Sequence, residues 1–370
     1  MLSAIVNGEL YGPGRLGPGS VLLVGERIAK VGGPVDPGSL SALGVPHQVL
    51  DAGGGLVIPG FVDPHQHLLG AGGEQGFASR MPEVPLEALA LAGITTVVGC
   101  LGTDGVSRTL PALVAKARQL EAGGVSAYVY TGGFHVPPLT LCGSVVDDLV
   151  LIDRVIGVGE LAIADPRSAQ PDPRELARVV SMTYVGGTLS GKAGVTHFHV
   201  GPGRERLALL RRLLSDFELV PSSLYATHVN RTPELLDEGV ELALKGAYVD
   251  MDTVDPGLGG WLRRYLEKGG PPDRITVSSD SHTKDASPAR YLAEIVAAIR
   301  EEGLPLEQVL PLVTANPAAA LKLRRKGRLE VGCDADVVVL ERESLRVRHV
   351  FARGRLLVRD GSWVGSADLG

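Results

Sequence analysis

The sequence predicts an α/β protein with a large central unit and a smaller unit built from both chain ends. Through the middle of the 370-residue chain, eight apolar, strand-like runs alternate with helical segments, and such alternation favours a parallel sheet. At both ends, short apolar runs are broken by glycine and proline, with no convincing helix between them. Eight β/α units predict a TIM barrel over residues 57–326. Residues 1–56 and 327–370 are predicted to share a small β-sandwich.

The sandwich strands are short and lie between tight turns. The amino-terminal runs are LSAIVNGELY, SVLLVGERIAKVG and HQVLDAGG, and a similar texture returns in GRLEVGCDADVVVLE, LRVRHVFARGRLLVRDG and SWV. The barrel strands are longer apolar runs: GLVIPGFVDPHQH, TTVVGCLGT, SAYVYTGGFHV, VIGVGELAIAD, VTHFHVG, LYATHVN, AYVDMDTVD and ITVSSDSH. Segments such as RERLALLRRLLSDF and PARYLAEIVAAIREEG have apolar residues at helical spacing. In a barrel of this kind, active-site groups lie at the C-terminal ends of the strands.

Bulk properties exclude several classes of function. The formal net charge is -6 and no basic stripe is present, so we expect no nucleic-acid partner. No uninterrupted apolar segment approaches the roughly 20 residues that span a bilayer, so we expect no membrane insertion. The start, MLSAIVNGELYGP, lacks a charged leader with an apolar core, which predicts a cytoplasmic location. Cys100, Cys142 and Cys333 are far apart, which favours buried or incidental thiols over disulfides or a thiolate zinc site.

Several predicted strands end in a side chain that can bind a metal ion. His65 and His67 alternate at the end of the first strand and therefore face the same side of it. The further candidates at strand ends are Glu160, His199, His228 and Asp280. Imidazole and carboxylate groups suit zinc or a similar divalent ion, and a catalytic site leaves one position for water.

The joint pattern predicts the metal site, because one histidine at a strand end is more often a satisfied polar residue. His197 shares strand parity with His199, so spacing alone does not choose between them. We assign neither His197 nor His135 to the metal.

Longer motifs resemble those of the isoaspartyl (β-aspartyl) dipeptidases of the amidohydrolase superfamily, over nearly the whole chain. GLVIPGFVDPHQH, VTANPAAALKL and KGRLEVGCDADVVVL look like superfamily signatures. GGEQGFASRMPE, VVGCLGTDGVSR, TGGFHVPP, DRVIGV, GKAGVTHFHVG, THVNR and ITVSSD are similar to the dipeptidases in particular. The resemblance implies two divalent metal ions per chain and a homo-oligomer. Zinc is expected from the types of ligand.

The resemblance also implies roles for individual residues. It places His65, His67 and Asp280 on one metal ion and His199 and His228 on the other. The resemblance thus selects His199 over His197 as the metal ligand.

Asp280 is also the predicted general base and acid. It would accept a proton from the attacking hydroxide and deliver it to the leaving amine.

On the substrate side, the resemblance implies that Glu74 holds the free amino group of the β-aspartyl moiety, and we count Glu74 with Asp280 as catalytic. Gly72 and Thr103 are implied to bind the α-carboxylate of that moiety. Arg167 and Arg231 match positions that bind the carboxylate of the leaving amino acid, a role that suits the guanidinium fork. Taken singly, Glu74 and either arginine are more simply explained as solvated surface charges.

The chain departs from the family pattern at three places. The family usually bridges its metal ions with a carboxylated lysine, but this chain has DRVIGVGELAIAD with one extra residue, so we predict that Glu160 is the bridge and that a bulge at Gly159 offsets its shorter reach. The alternative is a strand-end acid beside a single metal ion. Phe134 stands where the family has tyrosine, so an oxyanion donor is missing unless His135 or the metal substitutes, and slow turnover is expected. The loop SHTKDASPAR is shorter than the family's, and Lys284 is more simply a free surface lysine than a substitute contact.

These features predict a metal-dependent hydrolase in which a hydroxide held between two divalent ions attacks the amide carbonyl of a β-aspartyl dipeptide. Two alternatives stay open at this point. The same site could act on another small amide, a cyclic imide or a lactone, because Phe134 and the short loop lie on the substrate side. The barrel could also be catalytically impaired and keep only a binding role.

Overall fold

The computed structural model describes residues 1–283 and 285–365. The amino-terminal strands are β1 (Leu2–Tyr11), β2 (Arg15–Val24), β3 (Arg27–Val31), β4 (His47–Asp51) and β5 (Leu56–Pro59). A short helix, α1 (Pro37–Ala42), lies between β3 and β4. The expectation of no helix in this region is therefore wrong. The carboxylate of Asp36 accepts hydrogen bonds from Gly38 N and Ser39 N and so caps the first turn.

The central unit is a parallel sheet of eight strands in sequence order. Its strands are β6 (Phe61–Gln66), β7 (Ile94–Gly99), β8 (Ser126–Thr131), β9 (Val155–Ile163), β10 (Val195–Val200), β11 (Leu224–Thr227), β12 (Tyr248–Asp252) and β13 (Ile275–Ser278). Beyond β13, the backbone N–H of Asp280 donates to the carbonyl of His65 in β6, which joins the last strand to the first. This arrangement confirms the predicted TIM barrel.

Helices follow the barrel strands in the order that a β/α barrel requires. They are α2 (Leu86–Leu91), α3 (Leu110–Ala122), α4 (Val145–Leu151), α5 (Pro173–Ser190), α6 (Ala208–Asp216), α7 (Pro233–Leu244), α8 (Leu258–Glu267), α9 (Pro288–Arg300), α10 (Leu306–Val309) and α11 (Ala315–Ala320). Short 3-10 turns occur at Phe77–Ser79, Pro221–Ser223, Val229–Arg231 and Leu310–Val313. Among the described residues, none of the helices combines the length and apolar character needed to cross a membrane.

The two chain ends meet in a second, mixed sheet of nine strands. Its carboxy-terminal strands are β14 (Val337–Leu340), β15 (Val347–Ala352), β16 (Arg355–Arg359) and β17 (Ser362–Trp363). Strand β5 pairs with both β1 and β14 and so joins the two ends. The run GLVIPGFVDPHQH, which the sequence predicts as one strand, is therefore divided at Gly60, where an added Cβ would lie 2.1 Å from Thr95 Oγ1. The unit boundaries at residues 56 and 327 stay a prediction.

Candidate metal centre and substrate cleft

The first two candidate ligands lie at the C-terminal end of β6: His65 is in the strand and His67 directly follows it. Glu160 lies in β9 and His199 in β10, while His228 directly follows β11 and Asp280 lies two residues after the end of β13. All six side chains are buried. The barrel therefore brings together every residue that the strand-end pattern singled out.

Glu160 lies at the centre of this group. Its Oε1 is 3.3 Å from Nε2 of His67, while its Oε2 is 3.3 Å from Nε2 of His65. The same Oε2 is 3.2 Å from Nδ1 of His199 and 3.8 Å from Nε2 of His228. One carboxylate thus faces four histidines, which come from three different strand ends.

Asp280 closes the group on the side of β13. Its Oδ1 is 3.2 Å from Nε2 of His67 and 3.6 Å from Nε2 of His65. Opposite, Nε2 of His228 is 3.0 Å from Nδ1 of His199. Ligand atoms within 4.8 Å of one another form the groups His65–His67–Cys100–Glu160, Glu160–His199–His228 and His228–Asp252–Asp280. Glu160 belongs to the first two groups.

The donor set fits divalent metal ions. Both ring nitrogens of His65 and Oδ1 of Asp280 are buried without a hydrogen-bond partner among the described residues, and unpaired buried polar atoms are costly. Coordination would satisfy such lone pairs, and nitrogen with carboxylate oxygen is the set that zinc prefers. The residues therefore suit a metal centre better than a purely structural polar cluster.

The charges in the cluster reinforce this assignment. Burial lowers the pKa of His65, but electrostatic interactions with Cys100, Glu160 and Asp280 outweigh burial and hold that pKa well above its ordinary value. Burial raises the pKa of Glu160, but His65, His199 and His228 outweigh it, and the pKa of Glu160 lies well below its usual range. Without a metal ion, protonated imidazoles therefore balance the negative charge of the buried carboxylates. A metal ion would compete with these protons for the histidine nitrogens.

Two of the candidate ligands have a backbone conformation that side chains rarely adopt. The φ angle is 68° at His228 and 42° at Asp280. Left-handed φ values at non-glycine residues cost roughly 1–2 kcal/mol each and cluster at functional sites.

Strand β9 contains the bulge expected next to Glu160. Val158 pairs with Thr196 and Leu161 with Phe198, so β9 has one residue more than β10 in this interval. Gly159 allows the bulge because an added Cβ would lie 2.7 Å from Cβ of His197 and 3.0 Å from its carbonyl oxygen. The bulge turns Glu160 toward the histidines.

A cleft with a volume of about 360 Å³ opens beside the metal candidates. Its lining includes the predicted substrate-side residues Gly72, Glu74, Thr103, Arg167 and Arg231. Oε1 of Glu74 accepts hydrogen bonds from Thr103 Oγ1 at 2.7 Å and from Arg167 Nη1 at 2.7 Å. Glu74 and Arg167 therefore line the cleft, and hydrogen bonds join them with Thr103 in one network.

Comparison with known proteins places this site in a family. An amidohydrolase family model matches residues 240–364. The crystal structure of the β-aspartyl dipeptidase from the thermophilic, keratin-degrading Fervidobacterium islandicum AW-1 has 38% sequence identity and a TM-score of 0.94, with 100% of both chains covered. A second structure of the β-aspartyl dipeptidase from that organism contains a β-Asp-Leu dipeptide and gives 37% identity and a TM-score of 0.92, again with 100% of both chains covered. The chain belongs to the β-aspartyl dipeptidase family.

More distant relatives agree with the wider superfamily. An adenine deaminase of Klebsiella pneumoniae is 26% identical over 94% of this chain, which spans only 54% of that relative. An imidazolonepropionase of Anaeromyxobacter dehalogenans is 28% identical over 87% of this chain and 84% of the relative. The family assignment confirms the resemblance found in the sequence and places the chain among the hydrolases of the amidohydrolase superfamily.

Phe134, one of the departures from the β-aspartyl dipeptidase pattern, lies in the cleft beside a candidate ligand. The ring of Phe134 is 4.6 Å from that of His199 and 5.1 Å from the guanidinium of Arg167. His135 is not among the residues that line the cleft. His197 lies buried against Tyr130, its ring stacked at 5.0 Å. Lys284 lies outside the described residues.

Other residues near the site were missed in the sequence. Asp165 and Asp252 contact His199 and His228, and Cys100 Sγ is 3.8 Å from Nδ1 of His67. Cys100 is therefore more than an incidental thiol, while Cys333 is buried away from the cluster and Cys142 is exposed. Asp252 and Cys100 each lie at the end of a barrel strand, so the strand-end rule could have found them.

Two further residues had no pattern to reveal them. His282 lines the cleft two residues after Asp280, and its Nδ1 is 3.2 Å from Oδ2 of that residue. Arg108 donates to the carbonyl groups of Leu69, Ala71, Gly72 and Met81.

Proposed function

We propose that the chain is a binuclear metallohydrolase that cleaves β-aspartyl dipeptides. The observation that carries this proposal is the position of Glu160 between two groups of ligand side chains, beside a cleft that contains Glu74 and two arginines. Membership of the β-aspartyl dipeptidase family supports the choice of substrate. The solved relative with a bound β-Asp-Leu dipeptide supports it further.

The proposed metal ligands are His65, His67, Glu160, His199, His228 and Asp280, with Glu160 shared between two ions. When bound, divalent ions such as zinc polarise the scissile carbonyl and lower the pKa of water toward about 7. Burial raises the pKa of Asp280, but the nearby imidazoles of His282 and His65 outweigh burial and hold that pKa well below its usual range. Asp280 is therefore ionised and can accept a proton from the attacking water and pass it to the leaving amine nitrogen.

The cleft residues bind and orient the dipeptide. Glu74 would exchange its contact with Arg167 for one with the substrate ammonium group, and Arg167 would then be free to pair with a carboxylate. Arg231 supplies a second guanidinium in the cleft, and Gly72 and Thr103, which also line it, are proposed to bind the α-carboxylate of the β-aspartyl group. A zwitterionic dipeptide would thus replace the ion pair between Glu74 and Arg167 with one pair from each of these residues to the substrate, while Arg167 keeps its contact with Asp165.

The test combines metal analysis with a panel of substrates. We expect about two zinc ions per purified chain, release of aspartate from β-Asp-Leu, no cleavage of α-Asp-Leu, and loss of activity after chelation with recovery on adding zinc. Glu160→Gln should bind fewer than two ions because the amide keeps one acceptor oxygen and loses the charge. A single ion in both proteins would contradict the proposed bridge.

A second candidate function is the hydrolysis of another small amide, a cyclic imide or a lactone. It is favoured by Phe134, which gives the cleft no hydroxyl at that position, and the panel therefore includes a hydantoin, a dihydropyrimidine and a lactone. Cleavage of these compounds without β-Asp-Leu would replace the first proposal. Full metal loading with no hydrolysis of any compound would favour a binding role.

A further inference from the structure

Asp165 binds Arg167 through both oxygens of its carboxylate. Its Oδ1 accepts from Nε of Arg167 at 2.9 Å and from the backbone N–H of that residue at 2.8 Å, while its Oδ2 accepts from Nη2 at 2.8 Å. Asp165 is 3% exposed. A buried, bidentate pair of this kind fixes the plane of the guanidinium and leaves Nη1 directed toward Glu74 in the cleft.

The same carboxylate also contacts a candidate metal ligand. Oδ2 of Asp165 is 3.1 Å from Nε2 of His199. The other ring nitrogen of His199, Nδ1, faces Glu160 and His228. Nε2 is also 3.1 Å from Arg167 Nη2, but that group donates to Asp165 Oδ2 at the shorter distance of 2.8 Å, and Arg231 Nη1 donates to the carbonyl of Val200 at 2.6 Å. We therefore assign the proton of His199 to Nε2, where Oδ2 of Asp165 accepts it. The proton on Nε2 leaves the lone pair of Nδ1 free for a metal ion.

His228 provides a matched case without an arginine. Its Nδ1 is 2.8 Å from Oδ2 of Asp252, and its Nε2 faces the ligand group. Asp252 is also buried. Within the described part of the chain, no arginine side chain forms a hydrogen bond or ion pair with Asp252. The two aspartates thus make the same contact with a histidine, but only Asp165 also holds an arginine of the cleft.

We propose that Asp165 is a positioning residue that couples the metal centre to the carboxylate-binding arginine. Its role in substrate binding rests on the proposed function and substrate, whereas its role toward His199 rests only on the proposed metal centre. An amide at this position cannot serve all of these partners. If the amide oxygen accepts from Nε and the backbone N–H of Arg167, the amide NH₂ group faces Arg167 Nη2 and His199 Nε2. The NH₂ group would repel the N–H groups of Nη2. It would also favour the tautomer of His199 that carries its proton on Nδ1, the nitrogen that faces the metal site.

The first measurement is zinc affinity by competition with a chromophoric chelator, together with thermal unfolding of the metal-free proteins. We expect Asp165→Asn and Asp252→Asn each to weaken binding of zinc by about 10- to 100-fold. This measurement needs no substrate, so its result stands even if β-aspartyl dipeptides are not cleaved. Wild-type zinc affinity in a folded Asp165→Asn protein would overturn the role toward His199.

The second measurement is KM at saturating zinc for β-Asp-Leu and for β-Asp-leucinamide, which lacks the leaving carboxylate. Asp165→Asn should raise KM for β-Asp-Leu by on the order of tenfold, with a smaller effect on the amide, whereas Asp252→Asn should change both substrates equally. Equal behaviour of the two variants would overturn the coupling to Arg167.

A variant of the arginine keeps the test decisive if Asp165→Asn folds poorly. Arg167→Met should raise KM for β-Asp-Leu while leaving zinc affinity within about twofold of wild type, because Asp165 still holds His199. The double variant Asp165→Asn with Arg167→Met should have the KM of Arg167→Met alone, since the two residues act on one contact. Additive effects of the two substitutions on KM would overturn the proposal.

Discussion

Phe134 stands where the family pattern has tyrosine, so the site lacks a hydroxyl group that could donate a hydrogen bond. Its ring is 3% exposed and contacts both His199 and Arg167. A tyrosine there would direct a hydroxyl group toward the cleft with little change in volume. We predict that Phe134→Tyr raises kcat for β-Asp-Leu by up to about 10²-fold, the value typical of one oxyanion donor, with KM nearly unchanged.

Steady-state kinetics of three proteins would check this prediction. Phe134→Leu serves as the control, since it changes packing but adds no donor, and it should not gain activity. An unchanged kcat in Phe134→Tyr would mean that another group already stabilises the oxyanion and that the missing hydroxyl does not limit turnover.

The bulge in strand β9 positions the central carboxylate, and Gly159 makes it possible. An added Cβ would lie 2.7 Å from Cβ of His197 and 3.0 Å from its carbonyl oxygen. The backbone of β10 would have to move, so we predict that Gly159→Ala lowers the free energy of unfolding by about 1–3 kcal/mol and reduces zinc content. Urea unfolding of the metal-free protein and metal analysis measure the two effects.

Gly260 in α8 offers a matched control. An added Cβ there would have only Glu302 Oε2 within 4 Å, at 3.7 Å, and alanine favours a helix over glycine by about 1 kcal/mol. Gly260→Ala should therefore be neutral or stabilising, with normal zinc content. Similar losses in both variants would show that β9 has no special need for glycine.

The segment between β6 and α2 carries Glu74 and depends on one guanidinium. Arg108 is buried and donates to four carbonyl groups, those of Leu69, Ala71, Gly72 and Met81. Lysine has the charge but cannot reach several carbonyls in one plane. We predict that Arg108→Lys raises KM for β-Asp-Leu about 10-fold or more while zinc content stays normal.

Hydrogen exchange of this segment provides an independent measurement for Arg108→Lys. Faster exchange confined to residues 69–82 would accompany the rise in KM, because the segment loses its fixed conformation. Loss of zinc together with the rise in KM would instead mean that Arg108 supports the whole site.

At the scale of the whole molecule, the amino-acid sequence was sufficient to predict the barrel and the candidate ligands. Strand ends in a barrel meet at one face, so the polar residues at the ends of apolar runs already identify His65, His67, Glu160, His228 and Asp280. The choice of His199 over His197 needed the resemblance to the dipeptidases, because the two histidines share strand parity. The shared mixed sheet was also predictable, since both ends have the same strand texture. The periodicity of apolar residues could not show which strands join the two ends; in the structure β5 pairs with β14.

The residues that escaped detection act through contacts that are distant in sequence. Asp252 lies at a strand end and could have been listed as a candidate, but its contact with His228 across 24 residues has no local signal, nor has the contact of Asp165 with His199 across 34 residues. Helix α1 was missed for a different reason, because its six residues are too few to show periodicity. Helix caps and pairs of polar side chains that are distant in sequence therefore become visible only in the folded structure.

The contact between the mixed sheet and the barrel depends on a buried lysine. Nζ of Lys326 is 2.6 Å from Asp336, 2.8 Å from Asp334 and 2.6 Å from Oγ of Ser126 at the start of β8. Burial lowers the pKa of Lys326, but Asp336 and Asp334 outweigh burial and raise that pKa above its ordinary value. The lysine is therefore charged in the folded protein.

Removing this charge would leave two carboxylates beside an apolar side chain. We predict that Lys326→Met lowers the free energy of unfolding by about 3–5 kcal/mol, as expected when one partner of a buried ion pair is lost. Lys268→Met is the control, because Lys268 pairs with Asp237 at the surface with 48% of its side chain exposed, and exposed pairs contribute at most about 1 kcal/mol. Urea unfolding of both variants would decide: equal, small losses would mean that the mixed sheet and the barrel are held together by apolar packing alone.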